Sequence, residues 1–235
     1  MNAPADVVFL LDVDNTLLDN DRVVVDLDEY LAQTLGDRNR QRYWKIFDTL
    51  FDELGYADYL GALQQTRLGD MTDSRLPLIS SFLLDYPFSE RLYSGALDVI
   101  AHLAQWGASV ILSDGDVVFQ PRKIQRSGLW GAVEGKVLVY RHKEQMLDDV
   151  QGHYPARHYV LVDDKLKILH AAKLALGDRV TTVFPRQGHY ALDGRIVSGY
   201  PAADISIDHI GEMNVFEYPS LLDQRNRKTP IERKS

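Results

Sequence analysis

The sequence predicts an α/β fold, a parallel sheet covered by helices, with an all-helical segment inserted after the first strand. Three observations carry this. Val7-Val8-Phe9-Leu10-Leu11 is an uninterrupted apolar run, as in a strand buried on both faces. Residues 23–86 show helical spacing and no strand signal. Strand-like and helix-like stretches then alternate, which implies parallel strands joined by crossover helices.

The first strand runs into Asp12-Val13-Asp14-Asn15-Thr16. Side chains at i and i+2 of an extended chain point the same way, so Asp12 and Asp14 can serve one site. Like charges held close push one pKa up unless a cation intervenes. A catalytic or metal-bound pair accounts for them, and so does a solvated strand end with an Asx turn at Asn15. After the turn-rich stretch 17–22, Leu27, Tyr30, Leu31, Thr34 and Leu35 fall at helical spacing up to Gly36. Tyr43, Phe47, Leu50, Phe51 and Leu54 form a second stripe closed by Gly55. Residues 57–68 and 76–84 read as two more helices, the last stopped by Tyr86-Pro87.

Leu97, Ile100, Leu103 and Ala104 mark a helix ending at Gly107. Residues 108–113 form a strand, turned by Asp114-Gly115-Asp116, and 136–140 another. A short helix over 143–151 leads to a strand over 158–162 that ends at Asp163-Asp164. Leu166 to Leu176 is a helix with Gly177 past its end, 179–184 a strand stopped by Pro185, and 204–207 a last short strand. The expected organisation is a sheet domain of residues 1–22 and 87–222, an inserted helical domain of residues 23–86, and a frayed basic tail, 223–235. Ligands of such sheets sit beyond the carboxyl ends of the strands, where Asp12, Ser113 and Asp163 fall.

Composition narrows the function. The 235 residues are 45% hydrophobic and 26% charged, as in an ordinary globular protein. A net charge of −8 argues against a general nucleic-acid binder. The absence of cysteine excludes disulfides, thiolate catalysis and cysteine metal sites. No apolar run approaches the roughly 18 residues of a membrane span, and the first residues lack a signal-peptide layout, so a cytoplasmic protein without membrane partners is expected.

Three strand ends carry polar groups: Asp12/Asp14, Ser113/Asp114 and Asp163/Asp164. Four carboxylates converging without compensation are very costly. A divalent cation resolves this, and oxygen ligands in an incomplete shell suit Mg²⁺ completed by water and a substrate phosphate. For Asp163-Asp164 alone, an N-cap of the following helix is the simpler account.

Leu11-Asp12-Val13-Asp14-Asn15-Thr16-Leu17, Ile111-Leu112-Ser113-Asp114-Gly115, a lysine before the last acidic strand, and Val162-Asp163-Asp164 together resemble the haloacid dehalogenase superfamily. The resemblance implies a Rossmann-like core with a helical cap inserted after the first motif. It also implies a Mg²⁺-dependent phosphatase of a small phosphorylated metabolite, working through an aspartyl-phosphate. Asp12 would be the nucleophile. Asp14 would protonate the leaving oxygen and then activate water. Ser113, Asp114, Gly115 and Lys143 would contact the phosphate, with Lys143 neutralising charge. Asp12, the backbone carbonyl of Asp14, and Asp163 or Asp164 would hold Mg²⁺. Family spacing favours Lys143 over Lys123, which reads as a solvated helix residue.

Asp114 departs from the commoner Asn and, with Asp116, adds negative charge at the mouth. Dehalogenases of this superfamily lack the second acid, so Asp14 argues against dehalogenation. Phosphonate hydrolysis would need a cap lysine, and Lys45 reads instead as a snorkelling helix residue. A phosphomutase with the same residues, and a catalytically silent binding protein, are the alternatives; a receiver-type signalling domain is about half this length. Monomer and homodimer are both open. His142, His170, His189, Arg40, Arg42 and Arg67 are expected at the surface or in loop packing, and Trp44, Trp106 and Trp130 in the core or an interface.

Overall fold

The computed structural model describes residues 4–69 and 71–218, and the basic tail 223–235 lies outside them. Six strands form one parallel sheet: β1 (Ala5–Leu11), β2 (Ala108–Asp114), β3 (Val137–Tyr140), β4 (Ala156–Val162), β5 (Val180–Pro185) and β6 (Ile205–Ile207). Their order is β3-β2-β1-β4-β5-β6. Leu11 is in register with Ile111 on one side and Val162 on the other. The chain builds outward from β1 through β2 and β3, then returns to lay β4 along the opposite edge of β1. Strand order reverses there, and the crevice between the strand ends at such a reversal is where open α/β sheets bind ligands.

The apolar run of β1 divides between two cores. Val7, Phe9 and Leu11 face one, while Val8 and Leu10 face the other. Burial on both faces is why the run reads as continuous rather than alternating.

Four helices follow β1 before β2 begins: α1 (Asn20–Leu35), α2 (Asp37–Leu54), α3 (Tyr59–Arg67) and α4 (Leu76–Asp85). Asp19 caps α1 by accepting from the Arg22 amide at 2.9 Å. Asp58 caps α3 through the Gly61 amide at 2.7 Å. Within α1, Val23, Leu27, Leu31 and Leu35 are buried, one stripe at helical spacing. Tyr30 of α1 stacks on Phe82 of α4 with centroids 4.3 Å apart, and Tyr43 of α2 donates its hydroxyl to the Tyr59 carbonyl at 3.0 Å. The buried residues of this insertion are continuous with the core on the Phe9 side of the sheet.

The remaining helices cover the sheet: α5 (Ala96–Leu103), α6 (Phe119–Arg126), α7 (Leu129–Ala132), α8 (Leu147–His153), α9 (Leu166–Leu176), α10 (Gly188–Leu192) and α11 (Gly194–Val197). The expected helix over 143–151 is two pieces, a 3-10 turn at Lys143–Gln145 and then α8. Among the described residues no helix is long and apolar enough to cross a membrane.

Candidate active site

The loop after β1 builds the floor of the site. The Asp12 amide donates to the Val162 carbonyl at 3.0 Å, so pairing with β4 continues past the end of β1. Amides of Thr16, Leu17 and Leu18 turn back onto the Val13 carbonyl. Asn15 takes a positive φ of 61° and accepts on Oδ1 from the amides of Asn20 and Asp21, which opens α1. Thr16 Oγ1 accepts from the Asp164 amide at 3.0 Å and fastens the loop to the end of β4.

Asp12, Lys143, Asp163 and Asp164 are all buried beneath this loop. Lys143 Nζ donates to Asp12 Oδ1 at 2.5 Å and lies 2.6 Å from Asp163 Oδ2. Burial opposes the Lys143 charge, but the carboxylates of Asp12, Asp163 and Asp114 outweigh it and hold the ammonium well above the ordinary lysine value. Asp163 Oδ1 takes the Lys165 amide at 2.8 Å. Burial pushes the Asp163 carboxyl up to about 6, with Lys143 opposing. Asp164 differs: both of its oxygens are buried without a hydrogen-bond partner, and burial drives its pKa well above the ordinary range.

A buried carboxylate with no partner is costly by several kcal/mol, roughly, and natural proteins retain one for a ligand. Asp12, Asp163 and Asp164 each offer an oxygen, and the three oxygens lie within 4.8 Å of one another. Such an all-oxygen set fits a hard divalent cation. Asp164 is its open ligand, while Asp163 Oδ1 takes the Lys165 amide and its Oδ2, which makes no hydrogen bond, faces Lys143 Nζ at 2.6 Å.

Asp14 turns to a different lysine. Lys123, expected at the solvent, is fully buried and donates from Nζ to Asp14 Oδ1 at 2.7 Å and to Asn20 Oδ1 at 2.9 Å. Its helix, α6, buries Phe119 and Ile124 together with Gln120 and Lys123, which aims two polar side chains at the site. Gln120 Nε2 donates to Ser113 Oγ at 2.8 Å and to Asp14 Oδ2 at 3.2 Å. The chain closes tightly here, since a Cβ on Gly115 would fall 2.7 Å from Gln120 Cβ. The expected phosphate contacts divide accordingly. Ser113 and Lys143 point to the site, whereas the Gly115 amide is spent on the Tyr140 carbonyl at 2.9 Å. The Asp114 carboxylate accepts from the Lys143 amide at 2.8 Å, and burial raises its pKa.

Above the floor lies a cavity of about 540 Å³, within the range of small-molecule sites. Asp14, Gln120, Asp114 and Lys165 reach it from the sheet side. Trp44, Phe47, Phe51 and Tyr59 reach it from α2 and α3. Trp44, expected in the core or an interface, and Phe47, from the second apolar stripe, therefore face a cavity. His189 also lines it, pairing with Asp21 at 2.6 Å. Lys45 is exposed and Arg40 pairs with Asp28 at 3.0 Å; neither lines the cavity. Gln120, Asn20 and Lys165 were missed as site residues, and Lys123 was weighed but set at the solvent. A polar residue on a helix carries no signal that separates a buried partner from a solvated one.

No protein-family model and no curated protein matches the chain. Solved structures do. A haloacid dehalogenase-like hydrolase from Burkholderia xenovorans LB400 is 61% identical with a TM-score of 0.88, over 91% of this chain and 100% of that one. The HAD-hydrolase YfnB from Bacillus subtilis, bound to magnesium, is 17% identical with a TM-score of 0.61, over 90% and 97%. L-2-haloacid dehalogenase from Xanthobacter autotrophicus is 20% identical with a TM-score of 0.56, over 89% and 97%.

Proposed function

We propose, since this chain belongs to the haloacid dehalogenase-like hydrolases, that it is a Mg²⁺-dependent phosphatase of a small phosphate monoester. The observation that carries the reading is Asp14, held by Lys123 and Gln120 at the floor of the cavity, two residues from the buried Asp12. A halide leaves without a proton, so dehalogenation has no use for a second acid there. An alkoxide leaving from phosphorus needs one.

Asp12 attacks phosphorus, and the bond to the ester oxygen breaks as Asp14 gives that oxygen a proton. Water then attacks the aspartyl-phosphate, with Asp14 taking its proton, and Asp12 returns to its carboxylate. Ser113 donates to a phosphate oxygen, and its contact with Gln120 sets the phosphate beside Asp14. Lys143 holds Asp12 in place and offsets the charge gathered at the nucleophile. Asp12, Asp164, Asp163 and the Asp14 carbonyl would hold Mg²⁺, which when bound would neutralise phosphate charge and polarise phosphorus. Residues 23–86 act as a cap that closes the cavity over the substrate.

Phosphate release from a panel of monoesters, with Mg²⁺ and with chelator, tests this beside chloride release from 2-chloropropionate. Metal-dependent phosphate release is expected. Chloride release without phosphate release would refute the reading.

A further inference from the structure

The wall of the cavity above Asp14 is aromatic. Phe47 lies among Trp44, Phe51 and Tyr59, with ring centroids 5.3, 6.5 and 4.9 Å away. Two of these rings are anchored by hydrogen bonds. Trp44 Nε1 donates to Asp28 at 2.6 Å, and the Tyr59 hydroxyl accepts from Asn20 at 3.3 Å. The second apolar stripe of the sequence is thus split in two. Tyr43 and Leu50 are buried within the insertion, while Phe47 and Phe51 remain half-buried at the cavity. Half-buried rings gathered at one concave surface are partners for an apolar ligand group.

Several polar groups at the floor of the same cavity are spent on one another. Asn20 takes Lys123 and gives to Tyr59, Asn15 is used by the amides of Asn20 and Asp21, and Gln120 joins Ser113 to Asp14. Tyr56, Asp48 and Tyr190 line the cavity as well, so it is the aromatic wall that favours a ring over the hydroxyls of a sugar. Charge excludes a second anionic group, because Asp21, Asp48 and Asp114 line the cavity. Against them stand His189, committed to Asp21, and Lys165, whose Nζ lies 4.7 Å over the Tyr190 ring.

We infer that the substrate carries a single phosphate on an alkyl oxygen and, at its other end, an uncharged planar ring that packs against Phe47. This rests on the phosphatase reading and narrows it to one substrate class. Sugar phosphates and bisphosphates are poor substrates.

The test compares kcat/KM for benzyl phosphate, glycerol 3-phosphate and fructose 1,6-bisphosphate, all esters of alkyl oxygens, in the wild type and in Phe47→Ala. Benzyl phosphate is expected to lead, and Phe47→Ala to reduce its advantage over glycerol 3-phosphate roughly 3- to 10-fold, through KM. Circular dichroism of Phe47→Ala matching the wild type removes poor folding as a cause of an equal loss. Equal efficiency on benzyl phosphate and glycerol 3-phosphate, or an equal loss on both in Phe47→Ala, overturns the ring and leaves the phosphatase standing. Phosphate release from none of the three overturns the phosphatase reading and the ring with it.

Discussion

Asp12 and Asp14 are separated by one residue and answer to different lysines. Asp12 shares Lys143 with Asp163, and Asp14 shares Lys123 with Asn20. The first pairing was legible, because an acidic strand end and a preceding lysine recur in one family order. The second was not, because Lys123 sits between Arg122 and Ile124 like any helix lysine. Asp12→Asn is expected to abolish phosphate release while the far-ultraviolet circular dichroism stays unchanged; residual wild-type turnover would remove Asp12 as nucleophile. Lys123→Met leaves the part-exposed Asp14 without its cation and Asn20 without a donor, at a cost of about 1–3 kcal/mol in chemical denaturation. Its remaining folded enzyme should lose more kcat on alkyl phosphates than on aryl phosphates, by roughly 10²-fold if proton delivery by Asp14 suffers. Equal losses would show that Lys123 serves the fold alone.

The acidic pair also sets a pH dependence for metal binding. Burial holds Asp163 up to about 6 and Asp164 well above the ordinary carboxylate range. Protons therefore compete for the ligands below that range, and Mg²⁺ affinity falls as pH falls. Calorimetric titration at pH 6 in buffers of different ionisation enthalpy should show protons released on binding; a heat independent of buffer would contradict it.

Among elements, the strands were the most legible. Each is a short apolar run punctuated by Gly, Pro or an acid, and the order of runs gave the parallel sheet. In helix α6 the sequence placed Lys123 at the solvent, because half of the helix's buried residues are Gln120 and Lys123 and carry no apolar signal. The stripe of α2 was legible but not its split between core and cavity, since periodicity reports an apolar face and not what lies against it. Loop contacts are equally silent in sequence. Asp204, just before β6, accepts from the Thr182 amide at 2.9 Å, its hydroxyl at 3.0 Å and Lys173 at 2.7 Å. Burial raises its carboxyl, but Lys173 and Thr182 outweigh that and hold it below the ordinary 3.8. A depressed folded pKa gives stability that is present in full above the unfolded value and lost as pH falls through the folded one. Asp204→Asn should thus destabilise at neutral pH by about 1–3 kcal/mol and flatten the loss of stability below about pH 4, followed by thermal unfolding.

For the whole molecule, one topological fact organises the rest. The reversal of strand order at β1 gathers Asp12, Ser113, Lys143 and Asp163 at one edge, and the four helices after β1 stand over it. Insertion and sheet share a continuous core, so ligand binding at their common cavity and global stability are coupled. Mg²⁺ at 100 times its Kd should raise unfolding free energy by about 2.7 kcal/mol, and Asp164→Asn should remove that response. An unchanged response would take Asp164 out of the metal site. The account turns on phosphoryl transfer to Asp12. Its most direct test is mass spectrometry of acid-quenched Asp14→Asn enzyme after incubation with Mg²⁺ and 4-nitrophenyl phosphate, whose phenolate leaves without a proton while hydrolysis of the intermediate still needs Asp14. One phosphoryl group on the peptide bearing Asp12, absent from Asp12→Asn, is the predicted result. An unmodified Asp12 after phosphate esters, together with an ester of the acid skeleton on Asp12 after 2-chloropropionate, would contradict it.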